Sequence, residues 1–146
     1  MEVLLVLFKF GMRLLAQRLL DGFDGWETVQ HPVNLVDPHY LSFIHSVMPN
    51  IKKKGLGLIG MKSNAIGGIT QHKVATIEEC LRFSWSHPID TLVSGAETVD
   101  QLEQNIAVCK SFKKMQPDEM IRSRRCFGEP CDRKGRGVGG EDRVRA

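Results

Sequence analysis

The sequence predicts an α/β fold built on a parallel sheet, because a β-like run followed by an amphipathic helix occurs three times. The β-like runs begin near residues 28, 57 and 91, and the helices between them show apolar residues at helical spacing. Strands joined by helical crossovers of this kind pair in parallel and lie against a layer of helices. Three strands form an incomplete sheet, so we expect open strand edges.

The first unit begins with the β-like run WETVQHPVN, which Pro32 ends. The helix after it starts with Asp37, a favoured N-cap residue, and the next residue is a proline, as is common at the first helical position. Pro49 lies inside the same helix. Because proline has no amide proton to donate, we expect Pro49 to bend or divide this helix.

The stretch KKKGLGLIGM contains Gly55, Gly57 and Gly60 in the G-x-G-x-x-G spacing of a dinucleotide-binding loop. That fingerprint requires a strand before the glycines and a helix that begins among them. Here an amphipathic, lysine-ended helix precedes Gly55, which is typical of a helix C-terminus followed by glycine. We therefore place Gly55 at a helix end and the other two glycines inside the apolar strand LGLIGM, followed by a glycine-rich loop.

The two remaining helices carry N-capping signals. TIEECLRFSWSH opens with Thr76 and Glu79 in capping-box spacing. The strand DTLVSG follows, and Thr98 with Gln101 three residues later caps the last helix. The predicted apolar stripe of that helix consists of Val99, Leu102, Ile106 and Cys109.

The basic charge is concentrated at the C-terminus. Residues 121–146 hold 8 of the 20 Lys and Arg and 4 of the 17 Asp and Glu, so residues 1–120 carry 12 basic and 13 acidic side chains. The body of the chain therefore shows no charge pattern for specific nucleic-acid binding. From Ile121 the sequence is rich in Arg and Gly and lacks apolar periodicity, so we expect this tail to be disordered.

The N-terminal segment is tested first as a possible signal peptide or membrane anchor. MEVLLVLFKF is too short to span a membrane and no cleavage site follows it, while the pattern of residues 12–20 predicts a helix.

Four cysteines without a secretory signal are most simply the reduced thiols of a cytoplasmic protein. Two of them, Cys126 and Cys131, lack the two further ligands that a metal site would need.

In order along the chain, TVQHPVN, DPHYLSF, GLGLIGMKS and ATIEECLRFSWSHPIDTLVSGAETVDQLEQN resemble the last three βα units of aldo/keto reductases. These enzymes are (β/α)8 TIM barrels that transfer hydride from NADPH to a carbonyl. The most specific part of the resemblance is the last unit, where a strand ending in Ser-Gly-Ala precedes a capped helix carrying Leu-Glu-Gln-Asn. The implied organisation is an N-terminal apolar or helical segment, part of a TIM barrel, and a disordered basic tail, at residues 1–22, 23–118 and 119–146.

The resemblance implies a site for NADP(H) or NAD(H) at the carboxyl ends of the strands. Gln30 matches the amide that binds the nicotinamide carboxamide, and Met61 stands where many members have a ring stacked on the nicotinamide. Lys62 is placed to meet a pyrophosphate oxygen. The matching positions on the adenosine side are Gly95, Ala96, Gln101 and Asn105, with Asn105 as the predicted adenine contact.

Three of these residues also have a structural interpretation: a polar strand end for Gln30, a solvated charge for Lys62 and an exposed helix position for Asn105. Many members that use NADPH place Lys or Arg against its extra phosphate, whereas this sequence has Glu97 and Gln101 in that region. We therefore expect only modest discrimination between NADPH and NADH.

The catalytic residues of the family have no matching positions in this sequence. The chemistry needs a tyrosine acid, a lysine, an aspartate and often a histidine, all from the first half of the barrel. The only tyrosine, Tyr40, lies in the DPHY opening of a helix, where a packing role is favoured. His31 and His39 are joined by no matching acid, metal-ligand spacing or nucleophile. We expect the chain alone to be inactive.

Two functions remain for a chain of this kind. The first is an aldo/keto reductase-like oxidoreductase fragment that carries part of the cofactor site. The second is a noncatalytic interaction or regulatory protein built on a partial barrel. In either case an open sheet face, with exposure expected at Val29, Leu58, Ile59, Leu92 or Val93, predicts self-association through the open barrel edge. We expect no membrane partner, because the apolar run at the N-terminus is too short to span a bilayer.

Overall fold

The computed structural model describes residues 4–6, 13–39 and 42–125, which form a mixed α/β structure. Its strands are β1 Leu4–Val6, β2 Thr28–Pro32, β3 Gly57–Met61 and β4 Thr91–Val93. They form a parallel sheet in the order β1-β2-β3-β4, so each strand pairs with the next one along the chain. The predicted α/β class and parallel sheet are confirmed.

The helices of the described residues connect these strands and continue beyond the last one. They are α1 Arg13–Gly22, α2 Phe43–Ser46, α3 Met48–Lys53, α4 Gly68–Gln71, α5 Ile77–Trp85, α6 Val99–Lys110 and α7 Pro117–Arg125, with a 3-10 turn at Asp37–His39.

Strand β1 is not predicted by the sequence pattern, which suggests only an apolar or helical segment for residues 1–22. Leu4–Val6 pairs in parallel with residues 28–30 of β2, and Leu5 is buried beside Val29. Helix α1 then forms as expected and serves as the crossover between β1 and β2. The described fold therefore has four βα units in succession where the sequence pattern indicates three.

The glycine-rich stretch behaves as the sequence predicts. The amide of Gly55 donates to the carbonyl of Lys52 at 3.1 Å, and the amide of Leu56 donates to the carbonyl of Ile51 at 3.1 Å. This pair of bonds is a Schellman motif, and Gly55 adopts the left-handed φ of +71° that the motif requires. The other two glycines lie inside β3, so the G-x-G-x-x-G spacing is not a phosphate loop here.

The helical region after β2 is divided, as Pro49 predicts. Helix α2 ends at Ser46 and α3 begins at Met48 with the proline in its first turn. The buried carboxylate of Asp37 accepts hydrogen bonds from the Ser42 hydroxyl and from the first two amides of α2. Asp37 thus caps α2 across the 3-10 turn. Tyr40 lies outside the described residues.

The two faces of the sheet differ in burial. Val29 and Leu58 are fully buried in a core shared with residues of α1, α3 and α5. The sequence-based expectation that these two residues are exposed on an open face is therefore wrong. Because side chains alternate along a strand, the other face carries their neighbours Gln30 and Ile59, which are partly exposed, together with Val93, which is 53% exposed.

Helix α7 crosses the predicted start of the tail. It begins with Pro117 and two acidic residues, which suits a helix N-terminus. The guanidinium of Arg82 on α5 donates to both carboxylate oxygens of Glu119, at 2.7 and 3.2 Å. The prediction of disorder from Ile121 is thus wrong for residues 121–125. The rest of the tail, with Cys126 and Cys131, lies outside the described residues.

Candidate functional site

An open groove of about 1620 Å³ runs along the carboxyl ends of β2, β3 and β4. In open parallel sheets ligands bind at this edge, where the loops after the strands converge. The groove is larger than a typical closed ligand pocket of roughly 300–1,000 Å³ because it is open to solvent. All seven positions that the sequence suggests for a cofactor lie in its lining: Gln30, Met61, Lys62, Gly95, Ala96, Gln101 and Asn105.

One end of the groove is formed by β2 and β3. The Gln30 amide nitrogen lies 3.5 Å from the Met61 sulfur, a weak hydrogen bond that holds the two side chains together on one face of the sheet. Lys62 follows at once, with a left-handed φ of +54°. The side chain of Asn34 donates to the Lys62 carbonyl at 3.0 Å and fixes this turn.

The loop after Lys62 has a path that the sequence does not predict. Ala65 and Ile66 also adopt positive φ values, which side chains other than glycine rarely do. Asn64 stabilises this path because its amide bonds Thr70 twice, donating to the hydroxyl at 2.8 Å and accepting from the backbone at 3.1 Å. The sequence signal for this arrangement is Asn itself, which often forms turns through its side chain.

The other end of the groove is the loop between β4 and α6. The Asn105 amide donates to the Ser94 hydroxyl at 3.2 Å and to the Gly95 carbonyl at 3.5 Å. The Gln101 side-chain oxygen accepts from the Glu97 amide at 2.7 Å. The two predicted adenosine-side amides therefore also hold the loop in shape, a structural role that the motif alone does not indicate.

The charges of the groove are mixed. Its lining includes four basic and three acidic side chains: Lys62, Lys73, Arg82, Arg122, Glu79, Glu97 and Glu119. Arg82 is already paired with Glu119, and the adenosine-side loop itself contributes only the acidic Glu97. Sequence reasoning misses Lys73 and Arg122, because the first lies in a loop and the second in a helix that composition assigns to the tail.

The histidines do not enter the groove. His31 is fully buried on the helix side of the sheet, stacked on Phe43 with ring centroids 5.4 Å apart, and its Nδ1 lies 2.8 Å from the Pro32 carbonyl oxygen. Burial lowers the pKa of His31, which favours the neutral ring, and Nδ1 is the donor because a carbonyl oxygen can only accept. His39 is exposed in the 3-10 turn. Within the part of the chain that the structure describes, no group of His, Cys, Asp and Glu is arranged to hold a metal ion.

The described cysteines are both free thiols. Cys80 is buried, and this burial, with the nearby Glu79, raises the pKa of its thiol to about 12. Cys109 is exposed on α6. Cys80 is therefore a core residue with no nucleophilic character at neutral pH.

Across residues 4–6, 13–39 and 42–125, no helix combines the length and the apolar content that crossing a bilayer requires.

Comparison with protein-family models found no match, and comparison with curated proteins found none either. The resemblance to aldo/keto reductases therefore rests on the motifs of the sequence.

Proposed function

We propose that the chain is the cofactor-binding part of an aldo/keto reductase-like oxidoreductase and that its groove binds NADP(H) or NAD(H). The observation that carries the proposal is the convergence of seven positions, chosen by motif from three separate strand ends and one helix, on a single groove. In this proposal the sheet is part of a TIM barrel, and the groove is part of the barrel mouth.

The proposed orientation follows from the two ends of the groove. Gln30 and Met61 hold the nicotinamide end, one by hydrogen bonding and the other by dispersion contact. The loop between β4 and α6 holds the adenosine end, with Asn105 both shaping the loop and facing the ligand. Lys62 lies next to Met61 and interacts with the diphosphate as a point charge. A nicotinamide nucleotide would supply the hydride in a complete enzyme of this kind, and these residues would bind and orient the nucleotide.

The proposal includes a cytoplasmic location. It is supported by the two free thiols of the described residues, since unpaired cysteines are typical of a reducing compartment.

Nucleotide binding is tested by equilibrium dialysis of the chain against NADPH and NADH. We expect saturable binding of both, with dissociation constants that differ by less than about tenfold, because the adenosine-side loop offers no cation to the extra phosphate. If neither nucleotide binds at millimolar concentration, the proposed function is wrong.

A pair of variants on α6 locates the binding. Asn105→Ala should weaken both nucleotides by about tenfold or more, since it removes a ligand contact and loosens the loop from Ser94 to Gly95. Glu103→Ala is the matched control, because Glu103 is exposed on the same helix and does not line the groove. Equal affinity in the two variants would place binding elsewhere.

A second candidate, a noncatalytic interaction protein, is favoured by the apolar stripe of α6. Val99, Leu102 and Ile106 are all exposed, whereas an amphipathic helix normally buries such a stripe. The dialysis experiment separates the two candidates, because an interaction protein of this kind has no need of a nucleotide.

A further inference from the structure

We propose that two copies of this chain associate into one closed, eight-stranded parallel barrel. The partner is thus a second copy of the same chain, and the contact surfaces are the two outer flanks of the sheet. The inference does not require a bound nucleotide, since it is argued from the strand edges and from α1 and α6, and of the exposed apolar residues that carry it only Val93 also lines the groove.

The first argument is the topology of the sheet. Among the described residues, β1 pairs only with β2 and β4 only with β3, so the outer edge of each has no strand beside it. An unpaired strand edge presents a row of backbone N–H and C=O groups that can pair with a further strand. The two free edges belong to the same sheet and run in the same direction.

The second argument is the number of strands. A closed barrel of eight strands has an interior just wide enough for side chains to fill. Two copies of a four-stranded sheet supply eight strands. A twofold axis along the barrel axis keeps all strands parallel and places β4 of each copy against β1 of the other. Both edges of both copies are then used, so assembly stops at two.

The third argument is the distribution of exposed apolar side chains. Of the ten large ones exposed in the described residues, eight belong to the first or the last βα unit, and the exceptions are Ile66 and Ile121. The eight are Leu14, Leu15, Phe23, Val93, Val99, Leu102, Ile106 and Phe112. The helices over the middle of the sheet, α2, α3 and α5, expose none.

This distribution matches the proposed contact. Helices follow the strand order around such a barrel, so joining β4 to β1 of the partner brings α6 beside the partner's α1. Val99 on α6 is 70% exposed and Leu14 on α1 is 62% exposed, and both would be covered there. A single chain thus carries both halves of a complementary apolar interface, which favours a second copy over a different protein.

The assembly state is tested by sedimentation equilibrium of the full chain at micromolar concentration. We expect a mass about twice the 16.4 kDa of the chain. A strictly monomeric chain would overturn the proposal. So would a continuous series of larger species, since it would show that the edges join without closing.

The contact is tested by charge substitution at exposed apolar positions. Leu102→Lys on α6 should raise the dimer dissociation constant by at least about tenfold, because it places an ammonium group in an apolar contact. Ile66→Lys is the matched control, since Ile66 is 82% exposed and lies in the loop between β3 and α4, outside the first and last βα units. Equal dissociation in the two variants would contradict the proposed surface. Circular dichroism checks that each variant keeps its secondary structure.

A second substitution tests which helices meet. Leu15→Glu combined with Leu102→Lys should restore the dimer, because each α1–α6 contact then joins opposite charges. Val93→Lys gives an independent check. Val93 lies on the face of β4 that would become the barrel interior, so a lysine at this position should also prevent closure of the barrel. A double variant that remains as monomeric as Leu102→Lys would overturn the α1–α6 contact.

Discussion

Asp90 shows how one side chain joins three parts of the fold. Its carboxylate accepts a hydrogen bond of 2.7 Å from the Leu58 amide of β3 and one of 3.0 Å from the Lys52 ammonium of α3. These two bonds, first that from the Leu58 amide, lower the pKa of Asp90 below its usual value. Asp90 immediately precedes β4, so the carboxylate fixes the start of β4 beside β3.

This arrangement predicts a pH-dependent contribution to stability. A carboxylate whose folded pKa is depressed stabilises the fold above its unfolded pKa of about 3.9, and the contribution is lost as the pH falls through the folded pKa. Asp90→Asn should lower the free energy of unfolding by about 1 kcal/mol at neutral pH, a modest value because the carboxylate is mostly exposed. The difference from the unmodified chain should shrink as the pH falls below the unfolded pKa of about 3.9 and through the lower folded pKa.

Urea unfolding at a series of pH values measures this effect. Asp24→Asn is the control, because Asp24 pairs with Lys54 at 3.1 Å but its side chain is 94% exposed, so solvent screens this pair. Its substitution should change the free energy of unfolding by only a few tenths of a kcal/mol. A constant difference between Asp90→Asn and the unmodified chain across the pH range would show that ionisation of Asp90 contributes nothing.

At the scale of elements, helix α7 is joined to α5 by an ion pair, and its Met120 packs against the core. Arg82 on α5 contacts Glu119 through two charge-assisted bonds, and its Nε also donates to the Lys113 carbonyl at 3.2 Å. Both charged side chains are partly shielded from solvent, which strengthens the pair. The buried Met115 adds an apolar contact beside them.

Arg82→Ala should therefore release α7 from α5. We expect a loss of about 1–2 kcal/mol in the free energy of unfolding and faster tryptic cleavage at Arg122. Limited proteolysis with mass spectrometry follows the cleavage site. Glu119→Gln keeps the shape and one acceptor of the contact, so its effect should be smaller. Unchanged cleavage in Arg82→Ala would mean that apolar contacts alone hold α7.

The elements that local sequence signals predict are those that the structure confirms. Strands β2, β3 and β4 and the capping box of Thr76 and Glu79 all follow from short-range patterns. Strand β1 has only three residues, and its pairing with β2 is a contact between distant parts of the chain. Helix α7 is too polar to be recognised by apolar periodicity, because Met120 and Ile121 are the only large apolar residues in its sequence PDEMIRSRR.

The sequence pattern also does not reveal which face of the sheet packs against the helices. In LGLIGM both faces of β3 carry apolar side chains, so alternation cannot tell which of them faces the helices. Leu58 is buried and Ile59 is only partly buried, a difference that depends on packing against helices elsewhere in the chain. The positions of the groove residues follow from motif order, whereas the loop-holding bonds of Gln101 and Asn105 require the three-dimensional path of the loop.

At the scale of the whole molecule, the groove and the flanks divide the surface between two proposed roles. The groove occupies the carboxyl ends of the strands, while the exposed apolar residues of α1 and α6 lie along the sides of the sheet. Association of two copies would therefore leave both grooves at the same mouth of the barrel. It would not add any type of residue that one copy lacks, because both copies have the same sequence.

This identity of the copies leads to a prediction about catalysis. Carbonyl reduction needs a proton donor close to the substrate oxygen, and the lining of the groove in the described residues contains no tyrosine and no histidine. We expect no NADPH consumption above background with aldehydes or quinones, measured by absorbance, under conditions where dialysis shows the nucleotide bound. The only tyrosine of the chain, Tyr40, provides the decisive control. Turnover that disappears in Tyr40→Phe would show that a catalytic acid is present after all.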